Sequence, residues 1–419
     1  MDNRRKTHIT LLDQGMVSGM NFITGLLLAR FLGLEGYGQF VLAYGIILFI
    51  SGIQVALIIS PMMVKAPTLD EEHIPGYFQS AGILQILFSL ASYLTVALIG
   101  IIVNFFNPNI ETYLFLAPLG IATIFFTAQD YLRRYYFVTN KPASALINDI
   151  ISYCLQAILI LYFGLSETLD AEKSLWLIAI TSAAAVSFGL LAQGGIVKSP
   201  YTVNKRENFI RLCIDHWQFG KWLIARNITY WGGSQFTIYL SAALLSVAMV
   251  GAITATRNII GIANILFLAM ENFVPSRAAK RFKSGGYASL QKYITRVSLL
   301  GGSLTASIVL VAVIAPEFWL NLIYGDEYQG YGALVYWWSA YYLIGFFHKP
   351  ISAGLRTLNM TKEIFYATVA GTAVALIASY PMIIYIGITG AMVTMLGVQA
   401  IMLVVLLYFL TKHTMTQQS

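Results

Sequence analysis

The residues in this chain best placed to do chemistry are charges set inside long apolar stretches. Arg30, Arg226, Arg257 and Lys349 interrupt runs rich in leucine, isoleucine, valine and alanine, and Asp13 stands near the start of the first such run. An arginine at the centre of a bilayer costs roughly 2.5 to 3.5 kcal/mol on insertion scales, so such a residue normally faces a wet cavity or a partner. Four cations set against one carboxylate predict a seat for an anion, bound through charge-assisted hydrogen bonds. Arg257 carries the prediction furthest. Thr254, Thr256 and Asn258 surround it, Asn264 follows two turns later, and no acid lies within two turns on its own helix.

Structural readings stay open for the others. Arg30 and Lys349 lie close enough to helix ends to snorkel to lipid headgroups. Arg226 could be neutralised by Asp13 or Asp215, and Asp13 could instead couple a transport cycle to a proton or sodium ion. Covalent chemistry is not expected: the sequence holds no Walker-type phosphate loop, HExxH, paired-cysteine zinc site or GxSxG elbow. No catalytic residue, metal ligand or cofactor is therefore assigned. Cys154 and Cys213 have neither redox nor metal-ligand spacing and read as packing residues.

The elements that must position these charges follow from composition. Of 419 residues, 58% are hydrophobic and 11% charged, against roughly 25% charged in soluble domains. Mean hydropathy is +0.70. Apolar stretches of 18 or more residues can each cross a hydrocarbon core as a helix. Spans are expected near 9–33, 39–63, 77–103, 112–130, 143–164, 174–193, 219–245, 249–274, 294–316, 331–350, 364–386 and 388–411. The fold class is thus an all-α integral membrane protein of about 12 transmembrane helices. The first 33 residues read as a retained helix, because the run is long and contains Asp13 and Arg30.

Positive charge tests the count, since it accumulates on the cytoplasmic side. With both termini cytoplasmic, Lys173 alone of the 26 basic residues falls outside, while Arg30, Arg226, Arg257 and Lys349 lie within spans. The net charge of +7 is explained by this topology, and no nucleic acid partner is expected. The connection 194–218 divides the chain into two six-helix lobes, 1–193 and 219–419. Within it Phe209, Leu212, Cys213 and Trp217 recur beside Lys205, Arg206 and Arg211, which suits either a short amphipathic helix on the inner leaflet or an ordinary basic loop. Sliding the second half by 213 positions brings Gly19 onto Gly232, Thr24 onto Thr237, Ala29 onto Ala242 and Gly38 onto Gly251, a parallel duplication of the kind transporters use. The cluster Tyr324, Tyr328, Tyr331, Tyr336, Trp337, Trp338, Tyr341 and Tyr342 reads chiefly as an interfacial belt, with sugar stacking as the alternative.

The run Leu28-Ala29-Arg30-Phe31-Leu32-Gly33-Leu34-Glu35-Gly36-Tyr37-Gly38-Gln39-Phe40 resembles the first turn of Wzx-type polysaccharide flippases, relatives of the multidrug and toxic compound extrusion transporters. Gln129 to Tyr135, continuing through Asn140, Lys141, Ala145 and Asp149, resembles that family's fourth-to-fifth connection, and Leu322 to Tyr328 its ninth-to-tenth. The resemblance implies a MATE-like, V-shaped carrier in a bacterial inner (cytoplasmic) membrane. Its implied substrate is an undecaprenyl-diphosphate-linked oligosaccharide destined for lipopolysaccharide O-antigen, capsule or exopolysaccharide. Membrane lipids, a polysaccharide polymerase and a chain-length regulator are the implied partners. By position, Arg30 transfers from the first motif, and Arg133 with Arg134 from the inner connection as cytoplasmic headgroup contacts. Arg226, Arg257 and Lys349 rest on the burial argument.

The expected mechanism places the diphosphate on Arg257 and Arg226, helped by Arg30 and Lys349, in a central cavity reached by alternating access. Moving about two negative charges outward through about 100 mV, inside negative, releases up to roughly 4 to 5 kcal/mol. The alternative function is a cation-coupled multidrug extrusion transporter, which would want buried carboxylates in place of buried arginines.

Overall fold

The computed structural model describes residues 3–106, 112–192 and 205–418. Among these, every regular element is helical. Helices satisfy their own backbone hydrogen bonds, which is what a chain this apolar requires if it is to lie in lipid. Hydroxyl side chains follow the same logic: Thr123 donates to the Leu119 carbonyl at 2.7 Å and Thr181 to that of Leu177 at 2.8 Å, so neither needs water.

The helices are α1 (Asn3–Gln54), α2 (Ser60–Lys65), α3 (Ile74–Phe106), α4 (Thr112–Val138), α5 (Pro142–Leu165), α6 (Ala171–Ala192) and α7 (Lys205–Leu244), followed by α8 (Val247–Ile260), α9 (Ala263–Ile314), α10 (Pro316–Tyr324), α11 (Gly332–Thr357), α12 (Thr361–Ile386) and α13 (Ile388–Gln418). Two of these are pairs of arms. α1 turns at Gly33, whose φ of 67° is the left-handed region that glycine enters without penalty, and so carries the first two expected spans. α9 turns at Gly285 and Gly286 and carries the end of the expected eighth span and all of the ninth. Gly387, at φ 61°, separates α12 from α13 as expected.

Eight helical segments among the described residues are long and apolar enough to cross a membrane. The expected seventh, eighth and tenth spans are not among them. α7 carries Arg211, Asp215, Lys221 and Arg226, which dilute its hydropathy; α8 is only 14 residues long; and α11 is rich in tyrosine and tryptophan.

The chain forms two compact units, Met1–Leu32 with Gln39–Ile228, and Gly33–Gly38 with Thr229–Ser419. The division falls inside α7 and not in the 194–218 connection, whose first part, to residue 204, lies outside the described residues. From Lys205 onward the expected amphipathic helix is continuous with the seventh span. Of its apolar residues Leu212 meets protein, joining Ile58, Met62, Phe78 and Tyr131 in a buried cluster of the first unit, while Trp217 is exposed. Asp215 pairs with Lys65 at 2.9 Å, and His216 lies 3.0 Å from the Leu57 carbonyl and 2.9 Å from the Tyr77 hydroxyl.

Candidate functional site

In the second unit the site is built on α8. Ser246 opens this helix as its N-cap, accepting from the Met249 amide at 3.3 Å. Residues Val250 to Thr256 are then fully buried, and Arg257 emerges half-buried just beyond them. Its guanidinium lies over the ring of Trp338 on α11, 5.6 Å from the centroid. The indole is itself fixed, because its Nε1 donates to the Ile253 carbonyl at 2.8 Å. Attraction to a ring's π face uses none of the guanidinium's hydrogen-bond donors, which stay available for a second ligand. No described carboxylate lies within ion-pair distance of Arg257.

An aromatic strip leads onward from this seat. Trp338 packs against Tyr341 and Tyr342, Tyr342 against Phe267, and Lys349 places its ammonium 5.9 Å from the Phe267 centroid. Asn264 donates to the Tyr342 hydroxyl at 3.2 Å and Asn258 to that of Tyr37 at 2.8 Å. Arg257 and Lys349, chosen from sequence for their burial, are thus linked by one continuous set of rings. The rings themselves differ from the expected belt: Tyr324, Tyr328, Trp338 and Tyr342 are buried in the unit, while Tyr336 is exposed. Tyrosine density alone does not tell a belt from a core that satisfies its hydroxyls internally, as Tyr324 does on the Ala255 carbonyl at 3.1 Å.

The first unit holds a second arrangement. Arg133 on α4 lies 2.7 Å from Asp13 on α1 and 2.6 Å from Asp149 on α5. Both carboxylates have no exposed surface, and the arginine is 14% exposed. Gln129 donates to Asp149 at 3.5 Å and is held in turn by Ser152 at 2.9 Å. Arg133, expected at the headgroups, is therefore turned inward by two acids. Asp13 is the partner of Arg133 and not of Arg226. Asp149 was visible only as part of a resemblance; its sequence signal is an acid about two turns into a helix that opens with Pro142. Arg134 pairs with Asp130 one turn earlier at 3.3 Å. Arg30 on α1 and Arg226 on α7 are exposed. Both belong to the first unit, and Arg257 to the second.

Neither a protein-family model nor a curated protein sequence matches this chain. Solved structures do. An inward-facing multidrug resistance MATE family transporter of the MOP superfamily is 13% identical, with a TM-score of 0.70 over 96% of this chain and 95% of that one. A eukaryotic MATE transporter is 14% identical, with a TM-score of 0.64 over 97% and 96%. A MOP superfamily transporter from Pyrococcus furiosus, for which the reverse polarity of the binding pocket suggests a different function, is 13% identical, with a TM-score of 0.55 over 99% and 95%. At these identities the likeness shows the fold: this chain is built as MATE transporters are.

Proposed function

We propose that this protein is a membrane carrier that moves an undecaprenyl-diphosphate-linked oligosaccharide from the inner to the outer leaflet of a bacterial cytoplasmic membrane by alternating access. It would have 12 spans with both termini cytoplasmic, and the glycan would feed O-antigen, capsule or exopolysaccharide synthesis. The fold supports transport. One observation carries the choice of substrate: Arg257 lies over the Trp338 ring with no described acid to neutralise it, whereas Asp13 and Asp149 are both engaged by Arg133. The cation left available is the one an anion needs.

In this reading the diphosphate takes the edge donors of Arg257, and Lys349 adds a second positive charge beyond the aromatic strip. Trp338, Tyr341 and Tyr342 offer ring faces on which sugars can stack. Arg30 and Arg226, both exposed, serve as further cationic contacts along the route of the headgroup. No bond is made or broken, so the driving force is electrical, and outward movement of the anion is favoured by an inside-negative potential.

The test is flipping of a lipid-linked diphosphate oligosaccharide in proteoliposomes under an imposed potential. Wild-type protein should respond to the potential, and R257Q should lose most of the rate while folding normally. A rate in R257Q equal to wild type would end the proposal.

A second reading, the cation-coupled multidrug extruder, is favoured by the surplus acid in the Asp13–Arg133–Asp149 cluster, where two carboxylates share one guanidinium. It predicts uptake of cationic dyes driven by a proton or sodium gradient, abolished in D13N and unaffected in R257Q.

A further inference from the structure

A stripe of α9 carries a feature that neither reading of the transport site uses. From Arg277 to Pro316 the sequence contains six basic residues, Arg277, Lys280, Arg281, Lys283, Lys292 and Arg296, and no aspartate or glutamate. None of the six forms an ion pair with a described residue. Beyond the glycine turn, the second arm of α9 places Ala288, Gln291, Lys292, Thr295, Arg296, Leu299 and Leu300 along one open groove of about 600 Å³. These positions recur every three or four residues and so lie on a single helix face.

The face changes character along its length. Lys292 and Arg296 are exposed one turn apart, and from Leu299 onward the large exposed side chains are apolar, Leu299, Leu300, Leu304, Leu310, Val311 and Ile314, while the exposed Ser303 and Ser307 between them donate their hydroxyls to the helix's own carbonyls at Leu299 and Ser303. At 1.5 Å per residue this apolar ladder runs for roughly 22 Å, longer than the roughly 15 Å of hydrocarbon in one leaflet. The opposite face is filled by the unit's own core, where Leu290 and Ile294 pack with Val274, Ala278 and Ala353. Two cations thus sit where an exposed apolar ladder begins, over a groove the unit does not fill.

We propose that this groove is a binding site for an anionic phospholipid, its phosphate on Lys292 and Arg296, its glycerol region beside Gln291 and Thr295, and an acyl chain along Leu299 to Ile314. Charge complementarity selects the occupant. A zwitterionic lipid carries an ammonium group that would face Lys292 and Arg296 with no described acid to receive it, whereas phosphatidylglycerol brings only the phosphate. The basic residues before the glycine turn strengthen the field, but they lie outside the groove.

The experiment uses the full-length protein reconstituted in nanodiscs of equal phosphatidylglycerol and phosphatidylcholine, extracted into mild detergent and weighed by native mass spectrometry. Wild-type protein should retain phosphatidylglycerol in preference to phosphatidylcholine. K292Q/R296Q should retain about tenfold less of it, whereas K280Q/R281Q, which removes the same charge outside the groove, should lose less than about twofold. Equal losses in the two double variants would reduce the effect to general attraction, and no loss in K292Q/R296Q would remove the groove from lipid binding; either result overturns the proposal. Retention of a polyprenyl diphosphate in place of phosphatidylglycerol, in protein purified from cells, would also overturn it by giving the groove to the transported substrate. Because phospholipid retention is read without transport, this site and the flippase reading stand or fall separately.

Discussion

Gly38 and Gly251 are related by 213 residues and meet each other in the second unit by reciprocal contacts. A methyl group on Gly38 would run into the carbonyl oxygen of Val247, and one on Gly251 into that of Leu34. Leu34 and Val247 are themselves 213 residues apart, so each helix start leans on the same point of its repeat. The Cβ position of Gly251 is also 3.2 Å from the Gly38 amide nitrogen, which leaves no room for a side chain between the two backbones. The segment is fastened beside this crossing: the Leu34 amide donates to Glu327 at 2.9 Å, and the Tyr37 hydroxyl accepts from Asn258, the residue after Arg257.

G251A should therefore destabilise the protein by about 1 to 3 kcal/mol, the range for overpacking a filled site. The obstacle is main chain, which cannot rotate away as a side chain end can. Thermal unfolding in detergent measures this directly. G19A makes a fair control, since a Cβ there meets nothing within 4 Å. Equal melting of G251A and G19A would mean that the crossing is looser than described.

Arg133 is the only described cation paired with Asp13 and Asp149, and the three carry a net charge of −1 when both acids are ionised. Removing the base is then far worse than removing one acid. R133Q leaves two carboxylates without exposed surface uncompensated and should cost on the order of 3 to 5 kcal/mol. D13N and D149N each leave one pair of opposite charges, and each should cost much less. D13N/D149N strands the guanidinium and should again be severe. Melting temperatures of the four variants check the order; a D13N as damaging as R133Q would contradict a shared arginine.

How much of this was legible depended on whether a feature was local. The helical class, a break just after Gly33 and one at Gly387 follow from spacing along the chain, as does the 213-residue offset that relates Gly38 to Gly251; the close approach of those two glycines does not. Arg257 was legible for the same reason, being a base with no acid within two turns of its helix. The fate of Asp13 was not, because its partners arrive from α4 and α5 across 120 and more residues, and sequence gives no rule for choosing Arg133 over Arg226. Trp338 was read into a belt because indoles serve interfaces and cores equally well; its role as the seat of Arg257 depends on the Ile253 carbonyl, a backbone group that no side-chain pattern reports.

Lysine at position 257 keeps the charge but replaces the guanidinium that lies over Trp338 and loses its paired edge donors. In the flippase reading R257K should transport at an intermediate rate, about tenfold below wild type, with R257Q lower still. W338L should follow R257K, since it removes the ring under the guanidinium. The measurement is surface glycan restored in cells lacking the protein, with protein level in the membrane as the control. Full restoration by both R257K and W338L would show that charge alone suffices and that the contact with Trp338 is incidental.

His216 gives the fold a pH dependence. Burial is the main reason its pKa falls to about 4, with the nearby Lys65 adding to the effect; the bond to the Leu57 carbonyl and the Asp215 carboxylate oppose it. The Leu57 contact requires a proton on Nδ1, so the neutral ring accepts from Tyr77 at Nε2. Unfolded, the same histidine takes up a proton near pH 6.5. Between pH 6.5 and about 4 the unfolded chain thus binds a proton that the folded one refuses, and stability is lost as the pH falls through that window. The loss is on the order of 3 kcal/mol if the shift is fully expressed. Comparing wild type with H216Q at pH 7 and at pH 4.5 isolates this contribution from the carboxylates: the wild type should lose more stability on acidification than the variant does. Parallel loss in the two proteins would place the acid sensitivity elsewhere and leave His216 as a packing residue.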